Sequence, residues 1–127
     1  MIFKKETYEI VGVAMNVHKE IGGGFFESVY QEAFGIELLE NNIPFEKEVR
    51  LQIQYKGNLL SKYFIADFVC YRNILVELKS STAITDEYYA KVINYLKATR
   101  KPLGLLLNFG PKSLEFKRII LDTKSDG

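Results

Sequence analysis

The spacing of apolar residues predicts two helices at the beginning of the chain. Apolar positions recur at helical intervals over about residues 6–20, and this first helix is expected to end at the glycines 22–24. A second apolar stripe runs from Phe26 to Leu38 at the same spacing, and the residues at 41–44 should end that helix. We therefore expect two consecutive helices.

The remainder of the chain is dominated by the alternation and the short apolar runs that are typical of strands. Residues 56–58 and 71–73 contain turn-forming residues between such runs, so the second and third strands are expected to form an antiparallel hairpin. The predicted elements are strands at 45–55, 60–71 and 74–79, a helix at 85–100, and strands at 103–109 and 114–121. The order ααβββαββ predicts an α/β fold, a mixed β-sheet flanked by helices.

The composition fits one globular domain over residues 1–127. Hydrophobic residues make up 47% and charged residues 26%, which are values typical of folded proteins. The single cysteine, Cys70, cannot form an internal disulfide, and no run approaches the roughly 20 apolar residues of a membrane span. These features predict a soluble protein of the cytoplasm without a membrane partner.

The charges are unevenly distributed along the sequence. Residues 1–49 contain four Lys and nine Glu, a net charge of −5, whereas residues 50–127 contain 13 basic and seven acidic residues, a net charge of +6. The basic half could contact phosphate groups. Solubilising charges on a nearly neutral protein explain the distribution equally well.

Four charged residues occupy positions that the pattern predicts to be apolar, where an unpaired charge is costly. Glu27 shares a helical face with Tyr30, so its carboxylate is expected to point inward. Asp67 interrupts an apolar strand, and Glu77 and Lys79 lie two residues apart on one face of the next strand. The four residues are candidates for a shared catalytic site.

The length of the predicted hairpin loop decides whether two of these acids meet. A three-residue loop at 71–73 places Asp67 directly opposite Glu77, whereas a two-residue loop places them on opposite faces. Two adjacent carboxylates require a proton, a basic side chain or a bound cation. Oxygen ligands without Cys or clustered His favour Mg²⁺ or Mn²⁺ over zinc, and a buried ionic cluster that only stabilises the core is the alternative.

Several segments together resemble a known family. The segments GFFESVY, YFIADFVC, ILVELKS and NYLKATRKPLGLLLNFG resemble the GxxExxY proteins, which are placed in the PD-(D/E)XK nuclease superfamily. The resemblance implies a restriction-endonuclease-like sheet. It also implies metal ligation by Asp67 and Glu77, with Glu27 as an auxiliary carboxylate at the same metal and Lys79 as the group that positions the attacking water. The implied function is Mg²⁺-dependent hydrolysis of nucleic-acid phosphodiester bonds, with DNA favoured over RNA.

One position departs from the family pattern. Relatives typically carry Gln where this chain has Lys91, within a stripe that also contains Tyr88 and Tyr95. Lys91 could bind a substrate phosphate or neutralise the acids, and a side chain that extends to solvent is the alternative. The chain could therefore be a catalytically inactive nuclease-fold module that binds nucleic acid or a protein.

Two further residues are candidates for substrate binding. His18, the single histidine, lies near the end of the first predicted helix and could position substrate, although a structural or capping role is the alternative. Tyr30 could contact the site or serve helix packing. Because the chain is small, a homodimer or a protein partner is expected to supply further binding surface.

Overall fold

The computed structural model describes residues 2–121, which form three helices and five strands. The helices are α1 (Lys4–Ile21), α2 (Glu27–Glu40) and α3 (Asp86–Thr99), and the strands are β1 (Phe45–Tyr55), β2 (Asn58–Cys70), β3 (Ile74–Lys79), β4 (Leu103–Asn108) and β5 (Glu115–Ile119). The predicted order ααβββαββ is confirmed. Among the described residues, no helix has the length and apolar character needed to span a membrane.

The five strands form one mixed sheet in the order β1-β2-β3-β4-β5. Neighbouring strands are antiparallel except β3 and β4, which are parallel and are connected through α3. Thr85 caps α3, because its side chain accepts a hydrogen bond from the backbone N–H of Tyr88 at 3.2 Å. This crossover sets the carboxyl end of β3 beside the amino terminus of α3.

Each face of the sheet has its own apolar layer. The α1 and α2 helices cover the face that includes Phe68, Val76 and Leu78. The α3 helix covers the other face, which includes Ala66 and Leu75. Glu77 and Lys79 alternate with Val76 and Leu78, so they belong to the α3 face near the end of β3.

At Asp67, the regular alternation of β2 side chains between the two faces of the sheet is interrupted. Ala66 packs in the α3 layer, whereas Phe68, two residues later, packs in the α1 and α2 layer. Glu48, which lies between the β1 residues that pair with Phe68 and Ala66, has a φ of 51° in the left-handed region. This local twist brings Asp67 out of the regular ladder at the point where the strands β2 and β3 stop pairing.

A close backbone approach at Gly110 gives a stability prediction. A Cβ atom at Gly110 would lie 2.0 Å from the carbonyl oxygen of Ser81, a backbone atom that cannot move without shifting the loop. We expect Gly110→Ala to lower the free energy of unfolding by about 3 kcal/mol. Urea denaturation followed by circular dichroism measures this change.

Gly12 provides the matched control for Gly110. It lies inside α1, and a Cβ atom there would have open space within 4 Å. Gly12→Ala should raise stability by about 0.5–1 kcal/mol, because alanine is the better helix former. Equal stability of the Gly110→Ala protein and the parent chain would contradict the proposed backbone contact.

Candidate active site

Asp67 and Glu77 meet where the strands β2 and β3 separate. Cys70 pairs with Ile74, so the link between the strands has three residues, and Asp67 and Glu77 directly follow the last pair of this register, Phe68 with Val76. The backbone N–H of Asp67 donates to Oε1 of Glu77 at 3.3 Å. Of the two loop lengths that the sequence left open, the structure has the three-residue loop.

The carboxylate of Asp67 is fixed by two donors. Its Oδ2 accepts a hydrogen bond from the backbone N–H of Leu78 at 2.8 Å. The carboxylate thus takes the place of the strand carbonyl with which this N–H would otherwise pair. Its Oδ1 accepts from Nε2 of Gln31 at 3.0 Å, so α2 reaches the strand pair. Sequence reasoning missed Gln31, although its position one helical turn after Glu27 was an available signal.

Glu77 has an unusual electrostatic environment because it is 4% exposed and adjoins a second carboxylate. Burial, followed by the charge of Asp67 and a hydrogen bond with it, raises the pKa of Glu77 to about 9, while the charge of Lys91 acts in the opposite direction. In the absence of another cation, Glu77 therefore keeps its proton at neutral pH. A cation bound between the two acids would displace this proton.

Lys79 extends from the end of β3 between an acid and an aromatic ring. Its Nζ lies 3.9 Å from Oε1 of Glu27 and 4.7 Å from the centroid of the Tyr88 ring. The Lys79 side chain is 16% exposed, so its charge is poorly screened by water. The ammonium group thus has a defined position between Glu27 of α2 and Tyr88 of α3.

The position of Glu27 corrects one expectation from the sequence. Its side chain is 45% exposed and faces Lys79 at the first turn of α2, so it does not point into the core with the apolar stripe. Residues 2–121 contain no group of three or more Asp, Glu, His or Cys side chains that could hold one ion. Asp67 and Glu77 are therefore the pair that the structure brings together.

Lys91 is an exposed residue of α3. Its Nζ is 5.6 Å from the centroid of the buried Tyr95 ring, so the aliphatic part of Lys91 follows the aromatic surface. Its charge lowers the pKa of Glu77, which puts the ammonium group within electrostatic reach of the acid pair. The site thus combines two acids with two lysines.

A comparison with protein-family models identifies the family of the chain. Residues 4–119 match the model described as PD-(D/E)XK nuclease superfamily. The chain belongs to the PD-(D/E)XK nuclease superfamily. The order of helices and strands is that of this superfamily's fold, so the predicted fold is confirmed.

A solved structure supports the same fold. The chain is similar to the crystal structure of SSO0001, with a TM-score of 0.60 and 19% sequence identity over 77% of this chain. At this identity, the likeness concerns the fold alone. The matched region covers 52% of the SSO0001 chain, so this chain spans about half the length of that protein. Among curated proteins, no significant match is found.

The acid pair is chemically suited to the metals that PD-(D/E)XK nucleases typically use. Asp67 and Glu77 offer hard oxygen donors, and their mutual repulsion is relieved when a divalent cation binds. Mg²⁺ commonly uses only one or two protein carboxylates and keeps its other positions for water and phosphate. Two protein ligands therefore fit a Mg²⁺ or Mn²⁺ site in this superfamily member.

A polar cleft of about 280 Å³ gives solvent access to Asp67 from the side of α2. Charged residues from α2 and β1 line it, so water and ions can reach the carboxylate. The lining residues are Ser28, Gln31, Glu32, Lys47, Glu48, Asp67 and Phe68.

The structure gives His18 a structural role. His18 is 8% exposed, and its Nε2 donates to the carbonyl of Pro111 at 2.8 Å. Its ring also stacks on Phe109, with centroids 6.2 Å apart. These contacts connect the end of α1 to the segment after β4, and they correct the expectation that His18 binds substrate.

Tyr30 also supports the scaffold. It is fully buried, its hydroxyl donates to the carbonyl of Gly22 at 2.6 Å, and the same oxygen accepts from the N–H of Phe25 at 3.2 Å. The ring stacks on Phe109 at 4.5 Å. Tyr30 therefore holds the glycine loop in place and offers no surface to a substrate, contrary to its prediction as a substrate contact.

Asn108 is a second residue that sequence reasoning missed. It pairs with Lys79 in the parallel register and is fully buried. Its Nδ2 donates to Ser81 at 3.1 Å and to Glu115 at 3.0 Å, and its Oδ1 accepts from the N–H groups of Ser81 and Gly110. Asn108 thus fixes the segment that follows Lys79. In the sequence, Asn108 could have been identified as a polar residue within an otherwise apolar strand.

Proposed function

We propose that this member of the PD-(D/E)XK nuclease superfamily hydrolyses phosphodiester bonds in nucleic acids, with DNA as the first substrate to test and RNA as the alternative. The observation that carries the proposal is the contact between Asp67 and the buried Glu77, with Lys79 on the same strand face. Adjacent acids beside a lysine suit a reaction in which negative charge develops on phosphate. We assign Mg²⁺ or Mn²⁺ to Asp67 and Glu77.

The protein groups have distinct roles in this proposal. A divalent cation supplies Lewis acidity toward the phosphate group when it is bound. Lys79 orients the attacking water and places a positive charge near the reacting phosphate. Glu27 orients the Lys79 ammonium group, which lies 3.9 Å from its carboxylate, and acts as an auxiliary acid at the exposed edge of the site. Gln31 and the Leu78 N–H hold Asp67 in position.

We also infer how the substrate is held and which subfamily the chain represents. Lys91 is exposed and in electrostatic reach of the acids, so we assign it to a substrate phosphate. The motif segments favour the GxxExxY proteins as the subfamily. We further propose a single domain over residues 1–127 that acts in the cytoplasm, where the buried thiol of Cys70 stays reduced, with a second copy or a protein partner adding binding surface.

Cleavage assays test this function directly. Purified protein is incubated with single-stranded, duplex and branched DNA and with RNA, in Mg²⁺, in Mn²⁺ and in a chelator, and metal binding is measured by calorimetry. We expect metal-dependent cleavage of at least one substrate. Intact substrates together with no metal binding would contradict the proposal.

Replacing Lys79 tests the assigned division of roles. We expect Lys79→Ala to lower the cleavage rate by about 100- to 1,000-fold, because a preorganised charge near the reacting phosphate is lost. The affinity for Mn²⁺ should not fall, because the acids that hold the ion remain. Single-turnover cleavage and calorimetry give the two readouts. Lys97→Ala, which removes an exposed lysine from the last turn of α3, is the matched control and should cleave normally.

A second function is favoured by one specific observation. Lys91 places a positive charge within electrostatic reach of Glu77, and this charge would repel a cation bound there and weaken metal binding. An inactive module that binds nucleic acid or a protein is therefore the competing function. It predicts salt-dependent DNA binding that needs no metal and is unchanged in Asp67→Ala.

A further inference from the structure

Three apolar side chains are exposed at the beginning of α2. Phe26 is 85% exposed, Phe25 is 49% exposed and Val29 is 39% exposed. Large apolar side chains of this kind, when they lie together, commonly mark a binding surface. We refer to Phe25, Phe26 and Val29 as the α2 entry patch.

The backbone of the α2 entry patch is held firmly. The N–H of Phe25 donates to the Tyr30 hydroxyl at 3.2 Å, and its carbonyl accepts from the hydroxyl of Ser80. The N–H of Val29 donates to the carbonyl of Phe26 at 3.0 Å. The Phe26 ring is therefore presented to solvent by a fixed backbone.

The α2 entry patch adjoins the proposed active site along both segments that build it. Phe26 directly precedes Glu27, whose carboxylate lies 3.9 Å from the Lys79 ammonium group. Ser80, which bonds to Phe25, directly follows Lys79. A substrate phosphate held by Lys79 would thus have its neighbouring sugar and base close to Phe26.

Aromatic rings next to lysines suit single-stranded nucleic acid. Unpaired bases stack on exposed aromatic side chains, while lysines hold the backbone phosphates. In an intact duplex the faces of the bases are already covered by their neighbours. A patch of only three apolar side chains beside Lys79 favours this occupant over a protein, which would need a larger contact area.

These observations rest on the proposed function and extend it to a substrate class. We propose that Phe26 stacks on an unpaired nucleobase, so that the site accepts single-stranded nucleic acid or frayed ends in preference to intact duplex.

A fluorescent variant tests stacking directly. The chain contains no Trp, so Phe26→Trp introduces the sole indole. Titration with a 20-nucleotide single-stranded DNA in the presence of a chelator is expected to quench the fluorescence of F26W, because a stacked base quenches an indole. The same sequence as a blunt duplex should quench it much less. Leu39→Trp is the control, since Leu39 is 70% exposed at the far end of α2 and its indole should not respond.

Affinity measurements give the second readout. Fluorescence anisotropy with the same labelled strand should show binding that is about 5- to 100-fold weaker for Phe26→Ala than for the parent chain. Phe26→Tyr should retain most of the affinity because it keeps an aromatic face, and Leu39→Ala should bind normally. The Phe26→Ala protein should also bind Mn²⁺ as tightly as the parent chain does, because neither of the proposed metal ligands changes.

The outcomes separate this proposal from the proposed function. If the parent chain cleaves nucleic acid but Phe26→Ala binds normally and F26W is not quenched, stacking is wrong and the nuclease function stands. Equal quenching by single strand and duplex would refute the substrate preference. If the parent chain is a dimer and Phe26→Ala is a monomer with unchanged DNA affinity, the α2 entry patch is a contact between two copies of the chain instead. If the parent chain neither binds nor cleaves nucleic acid, both proposals are wrong.

Discussion

Asp67→Asn is expected to lower metal-dependent cleavage by about 1,000-fold or more while the protein stays folded. The change removes one of the two carboxylates assigned to the cation. A bound cation stabilises the charge of the transition state by several kcal/mol, and losing that stabilisation corresponds to a rate loss of this size. Single-turnover cleavage in Mg²⁺ measures the rate. Calorimetry with Mn²⁺ should show that binding is lost as well.

Asparagine can replace Asp67 without leaving a strand group unpaired. Its Oδ1 can accept from the Leu78 N–H, and Gln31 can rotate its amide so that its oxygen faces the new Nδ2. Asp86→Asn, at an exposed position in the first turn of α3, is the matched control and should cleave at the normal rate. Normal cleavage by Asp67→Asn would show that Asp67 is not part of the catalytic site.

The sequence predicted the framework of the candidate site because that framework depends on local periodicity. The alternation in β2 and β3 limited Asp67 to two arrangements, opposite Glu77 or on the other face, and the three-residue link in the structure selects the first. The two-residue spacing between Glu77 and Lys79 was enough to put both on one strand face. These relations need no knowledge of distant parts of the chain.

The remaining features depend on contacts between distant segments, which periodicity does not contain. Glu27 fits the helical stripe but lies in the first turn of α2, where its side chain is exposed and pairs with Lys79. Tyr30 and His18 looked like polar groups near the site, yet both bond to loops that meet only in the folded chain. Gln31 and Asn108 gain their partners in the same way.

Glu77→Gln is expected to stabilise the metal-free protein at pH 8 by about 4–5 kcal/mol. The pKa of Glu77 rises from 4.5 in the unfolded chain to about 9 in the folded protein, so the folded state binds the proton more tightly. The stability that comes from this group is complete below pH 4.5 and is lost as the pH rises toward 9. Glutamine resembles the protonated acid at every pH and should flatten this dependence.

Urea denaturation of the parent chain and of Glu77→Gln from pH 5 to pH 9, with and without Mn²⁺, measures both effects. We expect the parent chain to lose stability with rising pH in a chelator and to regain it when Mn²⁺ binds, because the ion replaces the proton between Asp67 and Glu77. Glu77→Gln should show neither change. Glu32→Gln, an exposed acid in the same cleft, is the matched control and should follow the parent chain. A buried ionic cluster that only stabilises the core predicts the reverse, a loss of roughly 3–5 kcal/mol in Glu77→Gln and no response to Mn²⁺.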